Sequence, residues 1–386
     1  MTTPVKSKRI VSLDLLRALA VVMMVQGHTI DVLLADEYRS YDYLGFSLWQ
    51  FGRGMTAPIF LLTSGTVFIY LLQSDSAPLR SNPRLSKGIR RAFLLIGLGY
   101  LLRFPAQSIS GLFYAPAEQW QTFCIVDVLQ LIGAGILLLL CATFISEKLG
   151  LNDLAVYGVG GLFFFICTPF TEQVDWNNGL PAPVAAYFYS RTGSLFPLFP
   201  WVGYVMFGGV LGGYLAGRRF EPARLGRKLA AAGMALLALY YYAEHLKAAG
   251  YGPAQFWLSS PDLVLLRLGS ALLLLVPVVL LSARSRTAPR MLVALGRSSL
   301  PIYLLHLVIL YGSPWNSGLN KYCDKCLTLW PALSAALLML TAMIGLAVFF
   351  SRLALDEIWA ELRLHELSGR PQPDQEEASL VSQGRQ

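Results

Sequence analysis

Few residues in this chain can do chemistry, and most of them sit in apolar surroundings. Histidine titrates nearest to neutral pH and is the usual general acid or base. The chain has four, at positions 28, 245, 306 and 365. His28 falls in "LDLLRALAVVMMVQGHTIDVLL", residues 13–34, a stretch apolar enough to cross a membrane that also holds Asp14, Arg17 and Asp31. His306 falls in "PIYLLHLVILYG", one turn after Tyr303. Arg53, Asp127, Arg267 and Arg297 are also set in apolar runs. A charge at the bilayer centre costs about 2.5–3.5 kcal/mol on insertion scales, so such residues are functional candidates by default. Two structural explanations compete. Asp14 and Arg17 can pair on one helix face, and Arg297, near a span end, can snorkel to the interface.

The elements that must carry these residues follow from composition. Of 386 residues, 55% are hydrophobic and 14% charged, against about 25% charged in soluble domains. The apolar runs approach 20 residues, the length a helix needs to cross a bilayer core of roughly 30 Å. The expected fold is an all-α polytopic membrane protein with ten spans: 12–34, 46–72, 88–104, 123–146, 151–169, 198–217, 228–246, 262–283, 291–312 and 329–354. Helices are required because every backbone polar group in lipid needs an internal partner. A β-barrel would show short alternating segments instead. One transmembrane domain, 1–355, is expected, followed by a polar tail, 356–386, expected to be disordered. The first span is too long for a signal peptide and lacks a cleavage motif, so it is read as retained. No internal repeat is evident.

One set of flanks, including "KSKR", "PLRSNPRLSKGIRR" and "GRRFEPARLGRK", holds 17 Lys and Arg, whereas the alternate loops hold six. The positive-inside rule puts the first set, and both termini, in the cytoplasm. The net charge of +8 is thereby accounted for by topology, and no nucleic-acid partner is expected. Cys124, Cys141 and Cys167 lie in spans and are expected to be small buried apolar residues. "CDKC", in the last external loop, suits a disulfide in an oxidising compartment. No metal site is expected.

With this orientation, His28, Arg53, Asp127, Arg267 and His306 all fall in the outer half of the membrane, although they come from five different spans. At 100° per residue, Asp14, Arg17, His28 and Asp31 also share an arc of about 100° on the first helix. They form a stripe in which Arg17 lies about 16 Å deeper than His28.

Arg17, ten intervening residues and His28, after a basic N-terminus, resemble the signature of membrane acyltransferase family 3. The stretches "LDLLRALAVVMM", "TAPIFLLTSG" (56–65), "DVLQLIG" (127–133), "FPLFPWVGYVMFGGVLGG" (196–213) and "LGRSSLPIYLLHLVILYG" (295–312) resemble the transmembrane acyltransferase superfamily. The likeness is strongest to bacterial relatives of heparan-α-glucosaminide N-acetyltransferase. Here Arg17-Ala18 stands where Arg-Gly is usual, and no histidine lies between 29 and 45. The resemblance implies a bacterial inner-membrane protein that takes an acyl group from cytoplasmic acyl-CoA, usually acetyl-CoA. It implies an external glycan or amino-sugar acceptor, reached by O- or N-acylation. A homodimer is left open.

Acyl transfer needs a base for the acceptor's proton and donors for the developing oxyanion. The resemblance makes His28 the base, or the carrier of a covalent acyl group, with Arg17 its motif partner. Asp31 or Asp127 would orient the imidazole. Arg53, Arg267 or a turn at Thr63-Ser64-Gly65 would supply charge or donors. Tyr303 and His306 would bind the acceptor or act as a secondary acid or base. The CoA phosphates would sit among Arg84, Lys87, Arg90, Arg91 or Arg297. External Trp120, Trp176, Asn177, Asn178 and Trp315 suit a sugar, and the tryptophans equally suit a membrane interface. His245 and His365 are given surface roles. A transporter whose stripe is a proton or substrate path is the alternative class.

Overall fold

A computed structural model describes residues 11–74, 77–217, 221–248, 261–284 and 289–368. The helices are α1 (Val11–Leu33), α2 (Leu44–Gln73), α3 (Pro83–Leu102), α4 (Ala117–Cys124), α5 (Val128–Leu149), α6 (Asp153–Thr171) and α7 (Ala182–Ala185). They continue as α8 (Leu198–Ala216), α9 (Pro222–Ala248), α10 (Pro261–Arg284), α11 (Arg290–Arg297), α12 (Ser299–Tyr311) and α13 (Leu329–Ser368). Two-residue strands β1 (Gly312–Ser313) and β2 (Asn316–Ser317) form a small antiparallel hairpin. Among the described residues, seven helices are long and apolar enough to span a membrane. The protein is an all-α, multi-pass membrane protein.

All ten expected spans coincide with helices, with two refinements. The ninth is broken into α11 and α12, bent by 74°. In addition, α3 and α9 begin in charged residues that dilute their apolarity. The segment expected as a tail is helical as far as Ser368. The basic "KSKR" stretch and residues 369–386 lie outside the described residues.

Helix ends follow local chemistry. Asn82 caps α3 by accepting from the Arg84 amide, with Pro83 in the first turn, where a missing N–H costs nothing. Asp127 and Gln130 form a capping box at the start of α5, satisfying amides that have no helical partner. The same helix ends at Gly150, whose φ of +65° is the left-handed conformation that closes helices.

The bundle is locked by close backbone approach between α2 and α8. A Cβ added at Gly208 would stand 2.2 Å from the Leu62 carbonyl oxygen, and one at Gly212 would stand 2.4 Å from that of Thr66. These positions are four apart and share a face. From the other side, a Cβ at Gly65 would meet the Val205 carbonyl oxygen at 2.1 Å. Small residues at such spacing let membrane helices pack backbone to backbone. The "FGGVLGG" run is therefore an interface.

Helix α1 is central, packed on α2, α10, α11, α12 and α13. Its last carbonyls are satisfied from another loop. The Lys325 amide donates to Val32 O at 2.7 Å and the Leu327 amide to Leu33 O at 2.8 Å. The question left open at "CDKC" is answered by a Cys323–Cys326 disulfide that closes that loop, and Lys325 reaches Asp36 at 2.9 Å. The span cysteines differ from expectation: Cys141 is exposed on the bundle surface, and Cys124 and Cys167 are half-buried.

Gly208→Val is expected to destabilise the protein by about 1–3 kcal/mol through overpacking, read as a lower melting midpoint in detergent. Gly97→Ala, where an added Cβ meets nothing within 4 Å, should be neutral or stabilising by up to ~1 kcal/mol.

Candidate active site

A cavity of about 1440 Å³ opens at the end of the bundle opposite the basic flanks, where α1, α3 and α12 finish and α2, α5 and α10 begin. Four of the five residues expected to share one depth line it together, His28 from α1, Arg53 from α2, Asp127 at the start of α5 and Arg267 from α10, and Asp31 from α1 and Tyr303 from α12 join them. The loop after α3, residues 103–108, and the start of the hairpin form its mouth.

Two carboxylates in the wall, Asp31 and Asp127, have cationic partners. Asp31 Oδ2 lies 2.7 Å from Arg53 and Oδ1 lies 3.4 Å from Arg39. Arg39 also donates to the main-chain carbonyls of Asp31 and Leu34, neutralising the negative end of α1. Asp127 Oδ1 accepts the Val128 amide at 2.8 Å, while Oδ2 lies 2.9 Å from Arg103. Asp127 thus caps α5 with one oxygen and holds α3 with the other.

Neither carboxylate holds His28, which differs from the expected role of Asp31 or Asp127. Among the described residues its hydrogen-bond partner is Tyr311, whose hydroxyl is 3.1 Å from Nδ1. The carboxylates are held instead by the arginines of neighbouring elements. Behind His28, with ring centroids 5.5 Å apart, stands His306. It is fully buried and is not part of the cavity wall. Its Nδ1 lies 2.8 Å from Ile302 O. A carbonyl only accepts, so Nδ1 carries the proton. Nε2 is then an acceptor, buried and without a partner among the described residues.

Other expected residues lie elsewhere. Thr63-Ser64-Gly65 is no turn but the middle of α2. Ser64 Oγ donates to Phe60 O at 2.8 Å and Thr63 bonds Ile59 O, so both hydroxyls are taken up by their own helix. Arg17, half-buried on α1, does not line the cavity and has Arg91 and Asp14 as its charged neighbours. Arg90, Arg91 and Arg297 are exposed at the basic end. The end of α11 presses on α1 there, since a Cβ at Gly296 would stand 2.2 Å from Asp14 O. Trp315 stacks on Phe104 at 6.0 Å beside the mouth and donates to Gln107 O. Trp120, Trp176, Asn177 and Asn178 do not line the cavity. His245 is exposed, and the side chain of His365 lies outside the described residues. Among the described residues no cluster of potential metal ligands occurs.

Sequence reasoning missed Tyr311, Arg103 and Arg39. The two arginines were counted as loop charge, and Tyr311 closes an apolar run like many interfacial tyrosines.

Residues 9–245 match the family model "Heparan-alpha-glucosaminide N-acetyltransferase, catalytic". Compared directly with curated protein sequences, the chain has no match.

Asp127→Ala is expected to remove both cap and ion pair and cost about 1–2 kcal/mol or more. Asp127→Asn keeps an oxygen for the Val128 amide and should cost less. Thermal melting of both variants checks the order.

Proposed function

The chain belongs to the heparan-α-glucosaminide N-acetyltransferase catalytic family, and on that premise we propose that this transmembrane acetyltransferase moves an acetyl group from cytoplasmic acetyl-CoA to an amino sugar or glycan on the other side. The observation that carries the proposal is His28, a proton-transfer group on the wall of a cavity opening away from the basic flanks. The family's name describes transfer to the nitrogen of a glucosaminide, which favours an amino-sugar acceptor.

In this mechanism His28 Nδ1 donates to the Tyr311 oxygen, which leaves Nε2 as the base. Nε2 takes a proton from the acceptor amine or hydroxyl as that nitrogen or oxygen attacks the thioester carbonyl. The new C–N or C–O bond forms, the C–S bond breaks, and the imidazolium returns its proton to the departing CoA thiolate. Tyr303, lining the cavity from α12, is the proposed donor to the oxyanion, a role in which one donor is worth about 10²–10³ in kcat. Tyr311 is a positioning residue. The Asp31–Arg53 and Asp127–Arg103 pairs hold the wall and neutralise its charge. His306 backs His28 as a secondary acid or base.

The donor is proposed to come from the basic end. Arg17 and Arg91 are neighbours there, and a pair of guanidiniums suits a phosphate. Arg297, at the end of α11, adds charge beside α1. Arg90 extends the patch. From Arg17 to Met23, which lines the cavity floor, is about 9 Å along α1, a distance for the extended pantetheine arm to cover. Transport along the stripe is the rival class, and membership of a transferase family favours the enzyme.

Purified protein with radiolabelled acetyl-CoA and a panel of amino sugars and glycans tests this. His28→Ala is expected to lower transfer about 10²–10⁴-fold. Undiminished transfer by a well-folded His28→Ala protein would remove His28 as the base. Tyr311→Phe should lower kcat by about tenfold or more while the acceptor KM and melting midpoint hold, a split that loss of packing alone would not produce.

A further inference from the structure

The cavity wall is not electrically uniform. It contains three arginines, at 53, 103 and 267, and three acids, at 31, 118 and 127. Arg53 and Arg103 are committed to Asp31 and Asp127, and Glu118 is exposed at the mouth on α4. Arg267 has no carboxylate partner among the described residues. Its guanidinium instead lies over Trp201, 5.4 Å from the ring centroid, and Trp201 also lines the cavity. Such stacking holds the plane of the fork while leaving its N–H edges available.

Two buried hydroxyls, one next to Arg267 and one elsewhere in the cavity wall, are not fully paired. Tyr204, one turn along α8 from Trp201 with rings 6.0 Å apart, is fully buried, and among the described residues its hydroxyl makes no hydrogen bond of regular geometry. Arg267 is the group within reach of that hydroxyl. Thr56, on α2, lines the same cavity with its hydroxyl buried and, among the described residues, unpartnered. Buried polar groups are nearly always paired, and leaving one unmatched is costly. A guanidinium offers five N–H donors and accepts nothing. The missing partner of this guanidinium is a group with several lone pairs and a negative charge, the kind that it binds by two parallel hydrogen bonds.

We infer that Arg267, seated on Trp201 with the Tyr204 hydroxyl beside it, is an anion-binding position of the acceptor site, so that the preferred acceptor carries a carboxylate, sulfate or phosphate. The inference rests on the proposed use of this cavity as the acceptor site. It adds that charge selects the acceptor, and it names the residue that reads the charge. The anion can belong to the sugar itself or to the phosphate of a lipid that carries it. Arg267 has a specificity role here, apart from the proton transfer at His28.

The test uses the purified full-length protein and matched ligands: glucosamine, glucosamine 6-sulfate, glucosamine 6-phosphate and a short-chain polyprenyl phosphate. Binding is measured on wild type, Arg267→Gln and Arg267→Lys, with melting midpoint and size-exclusion profile checked without ligand. Wild type should bind at least one anionic ligand about tenfold more tightly than glucosamine. In Arg267→Gln that advantage should fall to about twofold or less, and Arg267→Lys, charged but without the planar fork, should fall between. A gain confined to the sugar sulfate and phosphate places the anion on the sugar, and one confined to the polyprenyl phosphate places it on a lipid carrier. Either result supports the inference. If Arg267→Gln fails to fold, the comparison of wild type with Arg267→Lys decides: an undiminished advantage in Arg267→Lys overturns the inference. No advantage for any anion in wild type, or an undiminished one in folded Arg267→Gln, also overturns it. Acetyl transfer measured in parallel separates the two levels. Transfer indifferent to acceptor charge removes the anion site and leaves the acetyltransferase mechanism. Arg267-dependent binding without transfer to any acceptor leaves the anion site and removes the amino-sugar chemistry.

Discussion

Two ion pairs, Asp31–Arg53 and Asp127–Arg103, let charges stand inside an apolar bundle, and the organisation of the cavity depends on them. Removing one partner of a partly buried pair leaves the other uncompensated, a larger loss than the pair's own net worth. Each pair also spans elements. Asp31–Arg53 ties α1 to α2, and Asp127 ties α5 to the end of α3 while capping its own helix. With the side-chain fractions at these pairs near 20–30% exposed, they are wetted by the cavity rather than sealed in a core. Their role is chiefly to fix geometry.

Once those charges are matched, what remains unmatched defines the chemistry. His28 is left with Tyr311 on Nδ1, so its other nitrogen is not committed within the described residues. His306 is pinned to one tautomer by a main-chain carbonyl directly behind it. Arg267 keeps its charge uncancelled over an indole face. His28 and Arg267 stand on one wall, separated from a second basic cluster about 16 Å deeper along α1, and the proposed reaction uses the first as its acceptor end and the second as its donor end. The glycine faces of α2 and α8 make this division rigid, because backbone-to-backbone packing leaves little room for the two helices to slide.

Much of this was legible in the sequence, for particular reasons. Apolar runs report span positions directly, since lipid imposes both length and internal hydrogen bonding. Depth could be counted from span edges, which is why His28, Arg53, Asp127 and Arg267 could be gathered before any coordinates. Partnerships could not. Arg103 and Arg39 lie just past helix ends, where a positive charge looks like ordinary loop composition, and only the bend of the chain turns them inward. Tyr311 is five residues after His306, about 140° around a helix, so periodicity gives no hint that both approach His28. The 74° break between α11 and α12 falls at Arg297-Ser298-Ser299, a short polar interruption that a run of spanning length conceals. Ser64 failed for the opposite reason: a hydroxyl next to glycine resembles a turn, but within a long apolar helix it bonds its own backbone.

The central claim is that position 28 faces a water-accessible cavity open on the side away from the basic flanks. It is tested most directly by placing His28→Cys in a background whose three free cysteines, Cys124, Cys141 and Cys167, are replaced by serine. A membrane-impermeant cationic thiol reagent is then applied from either side of sealed vesicles. The account predicts labelling of position 28 from the external side, slowed by an acceptor that occupies the cavity, and none from the cytoplasmic side. Labelling only from the cytoplasmic side, or none from either because the position faces lipid, would contradict it.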